Sequence, residues 1–318
     1  MLTAPMEPTT APPSHEALVS VVIPTHNRAE LVVRAIRSVL AQTYRNLECI
    51  VVDDASTDNT SDVVRAIQDP RLVYLRHEQS KHASATRNTG IAAAKGEFIA
   101  FLDDDDEWLA EKLQAQTSVF STESAEVGMV YCWADYYDLE KCVYQRHPTL
   151  RGNIFPFVLD EQRIGNCSTL LLRASLVHEI GGFDEALPRG NDGDFIRRVS
   201  LKCMVDVVCR VLVKVHVDHG FSRITSRDAV SIRRAVLSQE DKLRKFKDEL
   251  PRYPKQTANI YAQLGQHYAE LGDWKRCLAR HWQALCLTPA AYKPYTSLLR
   301  SVRALLFSER LRRGVPQG

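Results

Sequence analysis

Between Val19 and Leu102, short apolar runs alternate with stretches of helical spacing, and this alternation limits the possible folds more than any other feature. Val19-Ser20-Val21-Val22-Ile23 reads as a strand stopped by Pro24. Leu31, Val32, Ala35, Ile36, Val39 and Leu40 then recur at helical intervals. Ile50-Val51-Val52 is a second strand ending in Asp53-Asp54, followed by a short helix near Ser61 to Ile67 and by Leu72-Val73-Tyr74-Leu75. Ala83 to Ala94 reads as a helix closed by Gly96 as its C-cap, before the strand Phe98 to Leu102. Apolar strands alternating with helices predict a mostly parallel sheet covered on both faces.

The last of these strands runs into Asp103-Asp104-Asp105-Asp106-Glu107-Trp108. Acids stacked together repel one another and destabilise the chain unless a positive charge sits among them. The carboxyl end of a central strand is also where open α/β sheets hold ligands. A divalent cation bridging to a phosphorylated substrate answers both facts; the bland alternative is a solvated acidic loop.

The chain has 318 residues, room for one large or two modest domains. A net charge of +2 gives no case for nucleic acid as a partner. No run of 18 apolar residues is present, so no membrane-spanning helix is expected. Residues 1–17, with four prolines and three threonines, read as a disordered tail rather than a secretory signal. The eight cysteines form no C-x-x-C pair and several lie in apolar runs, which points to buried free thiols in a reducing cytoplasm.

Beyond the acids, Leu109 to Phe120 looks helical, Met129 to Tyr137 and Ser168 to Arg173 look like strands, and Ala174 to Ile180 looks helical up to Gly181-Gly182. A further helix is expected near Asp192 and a strand-rich stretch from Val205 to Val217. Charged helical residues dominate from Asp228 to Leu250. From Tyr261, the spacing of Leu264, Gly265, Tyr268, Gly272, Trp274, Ala284 and Pro289 resembles one tetratricopeptide unit over about 258–290. Cys277 and His281 depart from that pattern. One unit cannot bury its apolar face alone, so it should pack on the preceding domain or on the helix after Tyr292.

Several segments taken together resemble the family 2 glycosyltransferases. They are Val19 to Arg28, Ser38-Val39-Leu40-Ala41-Gln42-Thr43-Tyr44, Val52-Asp53-Asp54-Ala55-Ser56-Thr57-Asp58 and Ala85-Thr86-Arg87-Asn88-Thr89-Gly90-Ile91. Lys95-Gly96-Glu97, the acidic cluster and Gly182-Phe183-Asp184-Glu185 complete the set. The resemblance implies an α/β domain of GT-A type over residues 18–225, a Rossmann-like mixed sheet for nucleotide-diphospho-sugar transfer. A helical region over 226–318 follows it.

The resemblance also implies roles. Pro24, Thr25 and Asn27 end the first strand ahead of a helix whose free amides suit an anion or nucleotide, although Thr25 or Asn27 equally suits a plain N-cap. Asp54 is implied as the nucleobase partner, while Ser56 and Asp58 fit turn-forming roles. Arg87 suits diphosphate oxygens, against a surface salt bridge as the alternative. Asn88 would hold the acidic loop in shape. Asp103-x-Asp105 is implied as the metal motif, with Asp105 as direct ligand and Asp103 or Asp104 meeting ribose or the metal's water shell. Hard oxygen ligands suit Mg²⁺ or Mn²⁺. Trp108 is expected as a packing anchor rather than a sugar platform.

Asp192 matches the family's catalytic base, with Asn191 standing where a glutamate is usual. The loss of that charge should slightly lower the pKa of Asp192. Asp194 is the reserve candidate. His216 is a further candidate metal ligand, and for both His216 and His219 an ordinary loop histidine is the alternative. The donor would be a nucleotide diphosphate sugar, a UDP-sugar first, and the acceptor a glycan or lipid-linked hydroxyl in bacterial surface polysaccharide synthesis.

The segment from Pro294 to Gly318 carries five arginines against one acid, with Leu298, Leu299, Val302, Leu305, Leu306 and Leu311 near helical spacing. It suits a cap on the tetratricopeptide-like unit, or a basic amphipathic helix making peripheral contact with an anionic membrane from the cytoplasm. Two other readings compete: a non-catalytic scaffold, supported by Asn191 alone, and a nucleotidyltransferase, which should show a glycine-rich loop where this chain has Pro24-Thr25-His26-Asn27-Arg28.

Overall fold

The computed structural model describes residues 16–122, 125–218, 228–291 and 294–303. Strand β1 (Val19–Thr25) leads through α1 (Ala29–Leu40), β2 (Leu47–Asp53), α2 (Thr60–Arg65), β3 (Leu72–Arg76) and α3 (His82–Ala93) to β4 (Phe98–Phe101). After the acidic loop come β5 (Glu107–Trp108), α4 (Lys112–Thr122), β6 (Val127–Asp138), β7 (Lys141–Arg146) and the short α5 (Phe155–Val158). β8 (Leu170–Arg173), α6 (Ala174–Glu179), α7 (Asn191–Ser200) and β9 (Met204–Asp218) follow. Three helices then stack beside the sheet region: α8 (Ala229–Lys245), α9 (Pro254–Glu270) and α10 (Trp274–Leu287), with more helical backbone over 294–303.

The sheet order is β3-β2-β1-β4-β8-β6-β9-β5, with β7 on β6. β1 to β4 are mutually parallel, β8 is antiparallel to both β4 and β6, and β6 and β9 run parallel. The sheet is therefore mixed, and β4 lies near its middle. Alternate residues enter opposite layers, as strand geometry requires. Val21, Ile23, Ala100 and Leu102 pack with Val32, Ile36 and Leu113 on one face. Val22, Ile99 and Phe101 pack with Ile91, Phe183 and Phe195 on the other.

Three boundaries differ from expectation. β1 continues through Pro24, which lies opposite Val52. The Val22 carbonyl accepts from Leu102, so the nitrogen of Pro24 faces that same flank past the end of β4, where no ladder donor is needed. Gly96 is not a C-cap: α3 ends at Ala94 in extended backbone. A Cβ at Gly96 would stand 2.5 Å from the Leu18 carbonyl oxygen, so the close approach to β1 requires glycine. The helix expected from Leu109 begins at Lys112 because Trp108 pairs with Val213 as β5, and Leu109 donates to the Leu212 carbonyl.

The tetratricopeptide-like pair is α9 and α10. A Cβ at Gly265 would meet His281 Nε2 at 2.8 Å, so this glycine lets the two helices approach. Leu264, Tyr268 and Cys277 share a core with Val236 of α8. The pair packs in both expected directions. Phe155 and Leu159 of the sheet region cluster with Phe246, Leu250 and Ile260, and in the 294–303 helix Ser297 accepts from Gln266 at 2.7 Å while Ser301 bonds His281 at 3.0 Å. The helix thus packs on the unit through Ser297 and Ser301, whereas Leu299 of the expected apolar stripe is 60 % exposed, and Leu305, Leu306 and Leu311 lie outside the described residues. Among the described residues no helix is long and apolar enough to cross a membrane.

Candidate active site

The ends of β1 and β2 are tied together by their own polar residues. His26 bonds the Asp54 carbonyl at 2.7 Å, the Asn27 amide donates to Ser56, and the Asn27 side-chain oxygen accepts from the Thr57 amide at 2.7 Å. Asn27 and Ala55 both sit at positive φ, 52° and 60°, which marks a tightly shaped turn. Asn27 thus folds the turn after β2, and Pro24 and Thr25 form its floor. The Thr25 hydroxyl donates to Asp104 at 2.7 Å.

Asp53 and Asp54 divide the work differently from expectation. Asp53 is fully buried and organises the turn, accepting from the Ser56 amide and the Tyr74 hydroxyl. Asp54 spends both oxygens on the segment after β3. One oxygen takes His77 Nδ1 and the Lys81 amide; the other takes the Ser80 hydroxyl and the His82 amide, all between 2.7 and 2.9 Å. Burial opposes its charge, but these hydrogen bonds prevail and bring its carboxyl down to about 2. In this structure Asp54 anchors a loop and has no acceptor position left for a base.

The four aspartates after β4 have four environments. Asp103 accepts from Arg87 at 2.6 Å. Asp104 is buried, accepts from Arg28 at 2.7 Å, and is pushed up to about 6 by burial and by Asp105, against the pull of Arg28. Asp105 meets Arg28 at 3.0 Å, and Arg34 bonds its carbonyl. Asp106, 1 % exposed, accepts from Ser168 at 2.6 Å and Asn166 at 2.9 Å. Burial and the charges of Asp103 and Asp105 push it well above the ordinary carboxylate range. Ser168 is the hub of this loop: it also takes the Asp103 amide, and its carbonyl accepts from Trp108 Nε1 at 2.8 Å. Trp108 is 2 % exposed with the Lys112 ammonium over its ring, so it is a packing anchor.

Asp103, Asp105 and Asp106 each place a carboxylate oxygen within 4.8 Å of the others. Three hard oxygen donors, only partly offset by Arg87 and Arg28, fit Mg²⁺ or Mn²⁺. Asp104 points instead to Thr25 and Arg28. His216 is not brought into this group. It faces Glu107 at 3.7 Å on the β5–β9 edge, and burial together with nearby Arg34 depresses its pKa. Alternation along β9 aims His216 at Glu107, beside the acidic group rather than in it. His219 lies outside the described residues.

Asp192 opens α7 and stands a quarter exposed, 3.9 Å from Arg87, with the Cys167 amide at 3.4 Å. Its carboxyl is raised by burial and by Asp103, with Arg87 pulling the other way. The depression expected from Asn191 is overridden, because the nearby like charge comes from Asp103. Asn191 itself donates to Ser84. Arg87 is 7 % exposed and lies over the Phe183 ring, a buried link between two acids rather than a surface pair. Asn88 does not touch the acidic loop; it brackets Phe183, accepting from its amide and donating to its carbonyl. Asp194 faces away, paired with Arg198 at 2.8 Å and Lys245 at 3.0 Å. A cavity of about 530 Å³ lies on the outer flank of α1 against Glu107 and Trp108 and includes none of the four aspartates.

A mixed sheet with clustered aspartates at the carboxyl end of a central strand defines the class: the fold is that of the GT-A glycosyltransferases. Staphylococcus aureus TarS residues 1–349, solved in complex with UDP-GlcNAc, superposes with a TM-score of 0.59 at 18% identity over 86% of this chain and 93% of that one. The mannosyltransferase PcManGT from Pyrobaculum calidifontis, in complex with GDP-Man and Mn2+, gives 0.55 at 20% identity over 96% and 85%. Residues 20–176 match the family model described as Glycosyl transferase family 2, and this chain carries a domain of that family.

Among curated relatives, the UDP-Glc:alpha-D-GlcNAc-diphosphoundecaprenol beta-1,3-glucosyltransferase WfaP of Escherichia coli is 37% identical over 120 residues, 38% of this chain and 46% of the relative. The putative colanic acid biosynthesis glycosyl transferase WcaA of Escherichia coli K12 is 40% identical over 136 residues, 42% and 47%. The uncharacterized glycosyltransferase RP339 of Rickettsia prowazekii is 35% identical over 186 residues, 57% and 58%. The chain spans roughly half the length of these relatives.

Proposed function

We propose that the protein is an inverting glycosyltransferase that moves a sugar from a nucleotide diphosphate sugar to an acceptor hydroxyl in bacterial surface polysaccharide synthesis. The observation that carries this is Arg87, which bonds Asp103 of the acidic loop and stands 3.9 Å from Asp192. One buried cation thus joins the donor-side acids to the candidate base. Asp192 takes the proton of the acceptor hydroxyl as that oxygen attacks the anomeric carbon, and the bond to the diphosphate breaks on the opposite side. Asp103, Asp105 and Asp106 would hold Mg²⁺ or Mn²⁺, which supplies Lewis-acid neutralisation of the departing diphosphate when bound. Arg28 and Arg34 hold the loop that carries Asp105.

A UDP-sugar is the first donor to test, since WfaP is named for UDP-Glc and TarS was solved with UDP-GlcNAc. The acceptor is a glycan or lipid-linked sugar, and the reading places the protein in the cytoplasm, with the basic C-terminal segment as a peripheral membrane contact. Incubation with UDP-, GDP- and TDP-sugars plus Mn²⁺, reading released nucleoside diphosphate, tests the assignment. Release that Asp105→Ala and Asp192→Asn each reduce at least about 100-fold supports it. No release from any donor overturns it.

A further inference from the structure

α7 turns Asp192 toward Arg87 and turns Asp194 and Arg197 toward α8. Between the two helices lies a second cavity of about 230 Å³, whose wall carries Arg189, Arg197, Lys242 and His267 together with the acids Asp194 and Asp241. Arg197 and Lys242 are only 8 % and 7 % exposed. Among the described residues neither forms an ion pair. Lys242 makes no hydrogen bond there, and Arg197 makes one long contact of 3.4 Å to the Val158 carbonyl while its Nε stays buried without a partner.

Asp194 and Asp160 attract both cations through space, but among the described residues neither closes an ion pair with them. Asp194 is held by Arg198 and Lys245, and Asp241 by Lys245 at 2.9 Å and by Arg244. Asp160 accepts from Asn259 at 2.7 Å and keeps its other oxygen unpartnered, outside ion-pair reach of either cation. Burial and the Arg197 charge press Lys242 well below its ordinary range, and burial brings Arg197 down to about 10. Two like charges buried with no bonded counter-ion destabilise a fold unless a proton leaves or something supplies the opposite charge.

We propose that this cavity binds a phosphate-class oxyanion, and that its source is the phosphate or diphosphate carried by the acceptor. An arginine fork beside an ammonium matches an anion with several oxygens. At about 30 Å³ of liquid volume per water, the space exceeds what a halide fills and suits a diphosphate. The wall includes Gly190, two residues before Asp192, so the anion site and the candidate base share the first turn of α7. The inference rests on the transferase reading for the acceptor, though not for the anion.

The test uses the full chain in excess EDTA, with pyrophosphate and inorganic phosphate as probes. Pyrophosphate should raise the melting temperature saturably, and Lys242→Met and Arg197→Met should weaken it at least tenfold. Removing an unpaired buried cation leaves the fold intact or more stable; Lys242→Gln is the alternative should Arg197→Met fail to fold. A glycosyl diphosphate acceptor and the same sugar as a phosphate-free alkyl glycoside separate the sources. With the acceptor as source, the variants raise KM for the first at least tenfold and leave the second unchanged. With free phosphate as source, binding is lost and both KM values hold. No pyrophosphate or phosphate effect on the wild type, or equal effects on wild type and variants, overturns the site. Nucleoside diphosphate release without acceptor reports on the transferase reading separately.

Discussion

Asp54 shows how far a residue's neighbours decide its chemistry. Its four hydrogen bonds come from two side chains and two amides of one short segment, so Asp54→Asn removes charge-assisted bonds and turns an acceptor into a donor facing amides. The expected loss is about 2 kcal/mol, read by urea unfolding at pH 7. The sign follows from the direction of the shift. A carboxyl lowered to about 2 gives stability that is present above its unfolded value and is lost as pH falls through about 2; the mutant deficit should therefore shrink in strong acid. Arg87 would act on the proposed reaction instead. It opposes the upward pressure of burial and Asp103 on Asp192. Arg87→Gln should move the acid limb of kcat/KM to higher pH, because a base must be ionised to work; a limb that stays in place would remove Asp192 from that role. Asp103, Asp105 and Asp192 were legible because they sit at strand and helix ends where the pattern was clear. Asp106, Ser168 and Asn166 were not. Asp106 bonds partners 60 and 62 residues away, and only the antiparallel pairing of β8 with β4 brings them together. A serine and an asparagine before a short strand give no local sign of that.

At the scale of elements, alternation of apolar runs was enough for β1, β2 and β4, which are buried along nearly their whole length, and for α1, which carries a full apolar stripe, while the half-buried edge strand β3 still kept an apolar run. The signal failed where an element is short or exposed. β5 is two residues held by β9, and β7 exposes most of its side chains on an edge, so neither leaves a periodic mark. Close approach is another property the pattern does not state. Gly90 of α3 lies against β1, where an added Cβ would stand 2.3 Å from Val22 Cγ1. Gly90→Ala should therefore destabilise by about 1–3 kcal/mol through displacement of α3, although alanine is the better helix former. Thermal unfolding checks the sign: a more stable variant would mean that α3 has slack against the sheet. Because α3 carries Arg87, the same variant should lose activity beyond its loss of stability.

For the whole molecule, the proposed cation site predicts a stability that depends on divalent cations. Asp104 at about 6 means that ionising it weakens the fold as pH rises from about 4 through about 6, and Asp106, also raised well above the ordinary carboxylate range, acts in the same direction. Mn²⁺ at pH 7 should raise the melting temperature by binding only the folded state, about 2.7 kcal/mol at a hundredfold excess over its Kd. Asp105→Ala should abolish the rise, and a rise that persists would place the ion elsewhere. The sheet region and the helices meet at Phe155, whose ring lies 5.6 Å from Phe246 and 5.7 Å from Tyr253. Anyone who trims this chain after β9 to obtain a minimal enzyme would leave Phe155 and Leu159 wet and sticky. The shortest tractable fragment is thus longer than the catalytic machinery demands, and grafting the sheet onto a different tail would mean rewriting both sides of that greasy seam.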